Sequence, residues 1–380
     1  GKIVGMPYER LRALYILAGR TDILVDQWGL DVNPETLEEL EKLFADIKAQ
    51  DPQSIPMTGA YWAVMRMVMA YADVPENYTW GPPISFFVDD DDTVKPLIFH
   101  ENYPAMAEML AKWVTNGWVP KEVISMNNVQ SDQLFHSGKA YISANYYSIP
   151  LSVDLDVFRQ SEPDARVEMI GIPKAINGVQ QLHAEDFANI QWCLPNTGEE
   201  ESQATFLKYV EWIVSDPANY HLVNYGINGR YYEIQEGLMK TIYRDENGDI
   251  ATDPDEIERI KAKNVEENFL PYRSLFSVFQ TERTGYKLYS DITPKTIIDT
   301  EAILQSIDTT EFKLEGKVVF DLTAISAQKT DAENAVTTLL AEILSGVKPV
   351  SELEAVKQLY LDNGGQAVID ELTAQYKASK

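Results

Sequence analysis

The sequence predicts an α/β protein of two lobes with a helical C-terminal part. Three observations carry this. At 380 residues the chain exceeds what one hydrophobic core of ordinary size holds. Up to about residue 200, short apolar runs of strand length alternate with segments of helical period, without a strict βαβ rhythm. Beyond that point helical patterns dominate.

The elements follow in order. Lys2 to Pro7 reads as a short strand closed by proline, and Leu11, Leu14, Tyr15 and Leu17 continue as an apolar segment. Thr36 with Glu39 three residues on is a capping-box start, and Leu37, Leu40, Leu43, Phe44 and Ile47 form the stripe of the helix that follows. Residues 56–74, aromatic and rich in methionine, predict one buried helix. Phe86 to Val88 and Val94 to Phe99, joined by Asp89 to Asp92, predict a hairpin with an acidic turn. A helix is expected from about Tyr103 to Asn116, with Gly117 free to take positive φ at its end. Ser137-Gly138-Lys139 is a turn into a strand over Ala140 to Ala144, and Val167 to Pro173 is a second strand. Ala204 to Val214 is an amphipathic helix with Phe206, Leu207, Val210 and Ile213 inward, ended by Asp216-Pro217. Asn247-Gly248 marks a hairpin turn. Helices over 332–344, 351–363 and 366–376 close the chain.

Composition excludes several functions. With 45% hydrophobic residues the chain buries a real core rather than remaining disordered. A net charge of −27 repels phosphate backbones and anionic headgroups, which argues against nucleic acid and against membrane attachment through a basic patch. The lone Cys193 allows neither an intramolecular disulfide nor a multi-cysteine metal site, and its apolar surroundings predict a buried thiol. His100, His136, His183 and His221 include no pair spaced for one helix face, so no metal is expected. The Asp89–Asp92 run reads as a solvated turn. The acids from Asp245 to Glu256 read as a hairpin, since Ile250 stands where a calcium loop requires glycine. No nucleophile elbow, phosphate loop or dinucleotide fingerprint is present, and no cofactor is expected. No apolar run reaches the ~18 residues of a membrane span, and Gly1 to Pro7 carries no signal-peptide pattern.

Several segments, in order, resemble the family 1 extracellular solute-binding proteins of ABC importers, the maltose-binding-protein group. Gly1-Lys2-Ile3-Val4-Gly5-Met6-Pro7 looks like the family's crossover strand. Trp28-Gly29-Leu30 and Pro34-Glu35-Thr36-Leu37 are similar to a family run, and Phe135-His136-Ser137-Gly138-Lys139-Ala140 to a turn and strand. Trp212 to Pro217 and Asn224-Tyr225-Gly226-Ile227-Asn228-Gly229-Arg230-Tyr231-Tyr232 resemble the large Gram-positive lipoprotein branch. The chain departs from the pattern at Tyr15-Ile16, where Tyr-Asn or Tyr-Asp is usual, and at Tyr146-Tyr147, where a tryptophan is usual.

The resemblance implies a periplasmic-binding-protein-like fold of type II, two lobes joined by a hinge, with the first lobe incomplete. Residues 1–8 would be a hinge strand, 9–184 the second lobe and 185–236 what remains of the first. Residues 237–320 would be a helical insertion, and 321–380 helices packing on the second lobe. It also implies a signal peptide, a lipidated cysteine and on the order of a hundred residues before Gly1, roughly a small domain.

Sugars are held by aromatic faces against ring C–H groups, and by carboxylates, amides and arginines on the hydroxyls. By resemblance the second lobe contributes Tyr61 and Trp62 at a helix start, Asn145, Tyr146 and Tyr147 in a loop, and Asp321. The first lobe and hinge contribute Glu185, Asp186, Asn189 and Trp192. Each has a plain alternative: core for Trp62, a cap for Asp186, hinge packing for Trp192. Because Tyr146 and Tyr147 follow a strand, their side chains are expected on opposite faces. The function implied is extracellular, lipoprotein-anchored capture of an oligosaccharide by a monomer that delivers it to permease subunits. A hydrolase using paired carboxylates and a fragment that no longer binds remain as rivals.

Overall fold

A computed structural model describes residues 6–7, 15–74, 85–182, 191–192, 200–266, 286–290, 293–309 and 320–380. By contacts the chain divides into two compact units, Gly1–Leu11 with Phe187–Ile298, and Arg12–Asp186 with Asp299–Lys380. The segment 237–320, read from the sequence as one insertion, is therefore shared between units at Ile298.

In the first unit, strand β1 (Met6–Pro7) pairs antiparallel with Gln191–Trp192. The helices Glu200–Ser215 and Pro217–Tyr225 follow one another directly, because Asp216 both ends the first and caps the second by accepting the Ala218 N–H at 2.7 Å. Their core holds Ile213, Tyr220, Tyr225, Tyr232 and Met239, with Phe206, Val223, Tyr286 and Leu288 against it. Leu207, expected inward, is 46% exposed; the buried stripe runs instead through Val210 and Ile213. A hairpin the sequence does not announce joins Tyr232–Gln235 to Leu238–Thr241. Its turn, Glu236-Gly237, has positive φ at both residues (53° and 82°), as a primed turn requires, and Glu236 is an unusual residue to supply it. At Asn247-Gly248 the expected turn forms: Asp245 N–H donates to Asp249 O at 2.9 Å. The Asp245 carboxylate accepts the N–H groups of Asn247 and Asp249.

In the second unit a four-stranded sheet has the order β3 (Ile55–Gly59), β6 (Ala140–Tyr146), β2 (Tyr15–Arg20), β7 (Val167–Met169). β3 runs parallel to β6; β2 is antiparallel to both β6 and β7. Helix α1 (Leu37–Gln50) starts on the capping box of Thr36 and Glu39 and buries Leu40, Leu43, Phe44 and Ile47. The single helix expected over 56–74 is a strand followed by a helix: β3, then α2 (Tyr61–Tyr71). Close packing is the reason. A Cβ on Gly59 would meet Val64 Cγ2 at 2.7 Å and Ala144 Cβ at 2.9 Å, so only glycine lets the end of β3 lie against both α2 and β6. β4 (Phe86–Val88) and β5 (Val94–Pro96) form the acidic hairpin. Helix α3 (Tyr103–Thr115) ends on Gly117 at φ 65°, and α4 (Asn128–His136) leads through Gly138 into β6. The C-terminal helices Ser326–Leu344, Leu353–Tyr360 and Gln366–Ser379 belong to this unit, where Ile325, Val368, Leu372 and Tyr376 share a core with Phe86, Val88 and Val94.

No helix among the described residues is long and apolar enough to cross a membrane.

Candidate functional site

The start of α2 positions the aromatic residues. From Ala63 to Tyr71 every residue of α2 is buried, so the helix is core on all sides. Only its first two residues, Tyr61 and Trp62, are partly exposed. Ala60 offers no side-chain cap; the loop before α4 serves instead, with Met126 O accepting the Tyr61 N–H at 2.9 Å. The first residue of α4 fixes the indole: Trp62 Nε1 donates to Asn128 Oδ1 at 3.1 Å. Between Tyr61 and Trp62 on one side and Ile124–Val129 on the other lies a hollow of about 450 Å³. That volume is within the roughly 300–1,000 Å³ of small-molecule pockets.

The sheet delivers the second set of rings to the same place. β3 ends at Gly59 beside Ala144, and β2 begins with Tyr15 directly opposite Tyr146. The carboxyl ends of β3 and β6 therefore meet where α2 begins, the edge at which open α/β sheets place ligands. Tyr15 stands edge-on to Trp62 (5.1 Å, 73°) and to Tyr146 (6.1 Å, 84°). Tyr146 stacks on Tyr147 (5.1 Å, 26°). The expectation that these two tyrosines diverge is corrected here: Tyr146 is the last strand residue, so pleated alternation stops before Tyr147 and the rings come together. Tyr147 is buried, and its hydroxyl donates to Glu301 Oε1 at 2.6 Å.

Arg66, one turn after Trp62 on α2, is 8% exposed and lies over two of the rings, 4.5 Å from Tyr15 and 5.8 Å from Trp62. A guanidinium against π faces adds a cation–π attraction and fixes ring orientation. The Tyr103 hydroxyl, on α3, is buried without a hydrogen-bond partner among the described residues. Burial first, and Tyr61 second, push its pKa well above the ordinary value.

Of the residues expected from the sequence, Tyr61, Trp62, Tyr146 and Tyr147 are gathered within one unit, the last three joined through Tyr15. Asn145 is buried, its Oδ1 accepting the Tyr146 N–H at 2.8 Å, so it shapes the strand end. Asp321 is placed elsewhere. Its carboxylate accepts the Thr323 N–H at 2.9 Å and its backbone pairs with the Gln375 side chain, among the C-terminal helices. The hydrogen bonds from Thr323 hold the Asp321 carboxyl below the ordinary carboxylate range. Glu185, Asp186, Asn189 and Cys193 lie outside the described residues, as does the Trp192 side chain; the Trp192 backbone pairs with Met6.

Sequence reasoning missed Tyr15, Arg66, Asn128 and Glu301. Tyr15 opens an apolar run and so reads as core, and Arg66 is a lone charge among methionines. A buried cation in such a run needs a partner, and that was the available signal. Nothing local marks Asn128 or Glu301. Among the described residues, no group of three or more His, Cys, Asp or Glu side chains is placed to hold a metal ion.

No protein-family model and no curated protein matches the chain. Solved structures do. An extracellular solute-binding protein from Bifidobacterium longum subsp. infantis superposes with a TM-score of 0.63 at 14% identity, over 100% of this chain and 77% of its own. The alginate-binding protein AlgQ2 without calcium ion gives 0.62 at 15%, over 99% and 75%. The N-glycan transport solute binding protein NgtS from Streptococcus pneumoniae gives 0.60 at 14%, over 100% and 76%. The chain thus has the α/β, periplasmic-binding-protein-like fold of extracellular solute-binding proteins.

Proposed function

We propose that the chain binds an oligosaccharide and leaves it chemically unchanged, as the substrate-binding component of an ABC importer. One observation carries this reading: Trp62, Tyr15, Tyr146 and Tyr147 form a continuous run of rings, with Trp62 lining the hollow. Of these, Trp62 and Tyr146 are partly exposed, and such aromatic faces cover the C–H side of a pyranose while neighbouring amides bond its hydroxyls. That proteins of like fold include an alginate-binding and an N-glycan transport protein supports a glycan as ligand.

In this proposal Tyr61, Trp62 and Tyr146 touch sugar. Tyr147, Arg66 and Glu301 hold the rings in place. Asp186, Asn189 and Trp192 are assigned ligand contacts on the resemblance of the sequence to the family. Delivery to permease subunits, an extracellular location with a lipid anchor, and a monomeric state belong to the same reading.

Calorimetry and tryptophan fluorescence against alginate oligomers, N-glycan-type oligosaccharides and malto-oligosaccharides test it, with reducing ends assayed in parallel. Saturable binding without release of reducing ends is expected. Release of reducing ends, or indifference to every glycan, would sink the proposal.

A further inference from the structure

The hollow beside Trp62 has a polarity that narrows the ligand. An indole N–H and a backbone N–H can only donate. Trp62 Nε1 therefore fixes the side-chain oxygen of Asn128 toward itself, at 3.1 Å. The Gln130 N–H likewise fixes the side-chain oxygen of Asn127, at 3.0 Å, as the cap of α4. These bonds fix the amide orientations, so each NH₂ group is a donor that Asn127 and Asn128 hold for a ligand, and each oxygen keeps one further lone pair. The Ser125 hydroxyl donates to Glu122 O at 3.1 Å, which leaves its oxygen able to accept. The rest of this wall is apolar: Ile124, Met126 and Val129.

Amide donors, one hydroxyl acceptor and an apolar wall complement a carbonyl, an N–H and a methyl. We propose that the hollow receives an acetamido group, so that the glycan bound contains an N-acetylated hexosamine. The inference rests on the carbohydrate reading above and narrows its substrate class. A carboxylate would also accept from the two amides. Yet among the described residues no lysine or arginine lines the hollow, the chain carries a net charge of −27, and an apolar wall offers a carboxylate nothing. A plain hydroxyl would leave that wall uncovered.

The test compares two disaccharides that share rings and linkage and differ only in the acetamido groups: N,N′-diacetylchitobiose and cellobiose, each titrated calorimetrically into the full chain. Two hydrogen bonds and a buried methyl predict roughly 10- to 100-fold tighter binding of the acetylated sugar. Asn127→Ser keeps an oxygen for the cap and loses the amide donor. Asn128→Asp keeps an oxygen for Trp62 and loses its donor. Each is expected to cut the affinity ratio by about 3- to 10-fold. A melting curve checks each variant; should Asn128→Asp unfold, Asn127→Ser decides alone.

Equal affinity for the two disaccharides overturns the acetamido assignment and leaves sugar binding standing. So does tighter binding of the uronate disaccharide cellobiouronic acid, or a ratio unmoved by Asn127→Ser. Binding of neither neutral disaccharide overturns it as well, and the wider glycan panel then decides whether the carbohydrate reading falls too.

Discussion

The hydroxyl of Tyr147 donates to Glu301 Oε1 across 2.6 Å, linking residues 154 positions apart at a site where both are buried. Tyr147 in turn stacks on Tyr146, so the carboxylate sets one ring directly and the next through it. Glu301→Ala leaves a buried phenol without this acceptor, a loss of about 1–3 kcal/mol. Tyr147→Phe removes the hydroxyl but not the stack. The alanine variant is expected to melt at lower temperature and to bind sugar more weakly; the phenylalanine variant should lie between it and the native chain.

Trp62 is a partly exposed ring that lines the hollow. Trp62→Ala is expected to weaken binding of the best glycan about 30-fold or more, the scale of a buried aromatic anchor, with little change in melting temperature. Trp62→Phe keeps a face but loses the N–H that orients Asn128, and an intermediate affinity is expected by calorimetry.

How much of this was legible in advance differs by level. The capping box at Thr36, the positive-φ glycines 117 and 138, and the Asn247-Gly248 turn are local chemistry, and each stands where the residues put it. The strand β3 was hidden because Pro56-Met57-Thr58-Gly59 continues without a break into an apolar helix; only packing against Ala144 reveals why Gly59 is there. At the site, the partly exposed aromatics Tyr61, Trp62 and Tyr146 could be named from residue type and resemblance. Their supports could not. Tyr15 meets Tyr146 through strand register, and Glu301 meets Tyr147 across more than a hundred residues, and neither relationship has a signature in local sequence.

Gly59 separates the sheet from α2. In Gly59→Ala the new Cβ would lie 2.9 Å from Ala144 Cβ and 3.0 Å from Ala144 O, and β6 backbone yields little. Overpacking of this kind costs about 1–3 kcal/mol. Because Tyr61 and Trp62 follow two and three residues later, the variant is expected to lose glycan affinity along with stability, both measured on the same preparation.

Thr36 supplies the contrasting case. Its hydroxyl accepts the Glu39 N–H at 3.2 Å while Glu39 returns a bond to the Thr36 N–H, also at 3.2 Å. Thr36→Ala is expected to cost about 1 kcal/mol in urea unfolding. Among the described residues the cap's hydrogen bonds stay within 35–39, away from the rings, so glycan affinity should be unchanged.

His136 and Asp154 give the chain a pH signature. Asp154 Oδ1 bonds His136 Nε2 at 2.7 Å, while among the described residues its Oδ2 is buried without a hydrogen-bond partner, as is Oδ1 of Asp132 one helical turn before His136. Burial raises both carboxyls above their ordinary 3.8; His136 pulls each down less than burial pushes it up, and Asp132 raises Asp154 further. A carboxyl raised on folding binds its proton more tightly in the native state. The stability it contributes is present at low pH and is lost as pH rises from about 3.8 through the raised folded value. Asp154→Asn keeps an oxygen for a His136 N–H and removes the titration. Melting temperatures taken from pH 4 to pH 7 should therefore fall less with rising pH in Asp154→Asn than in the native chain; identical slopes would assign the pH dependence to other groups.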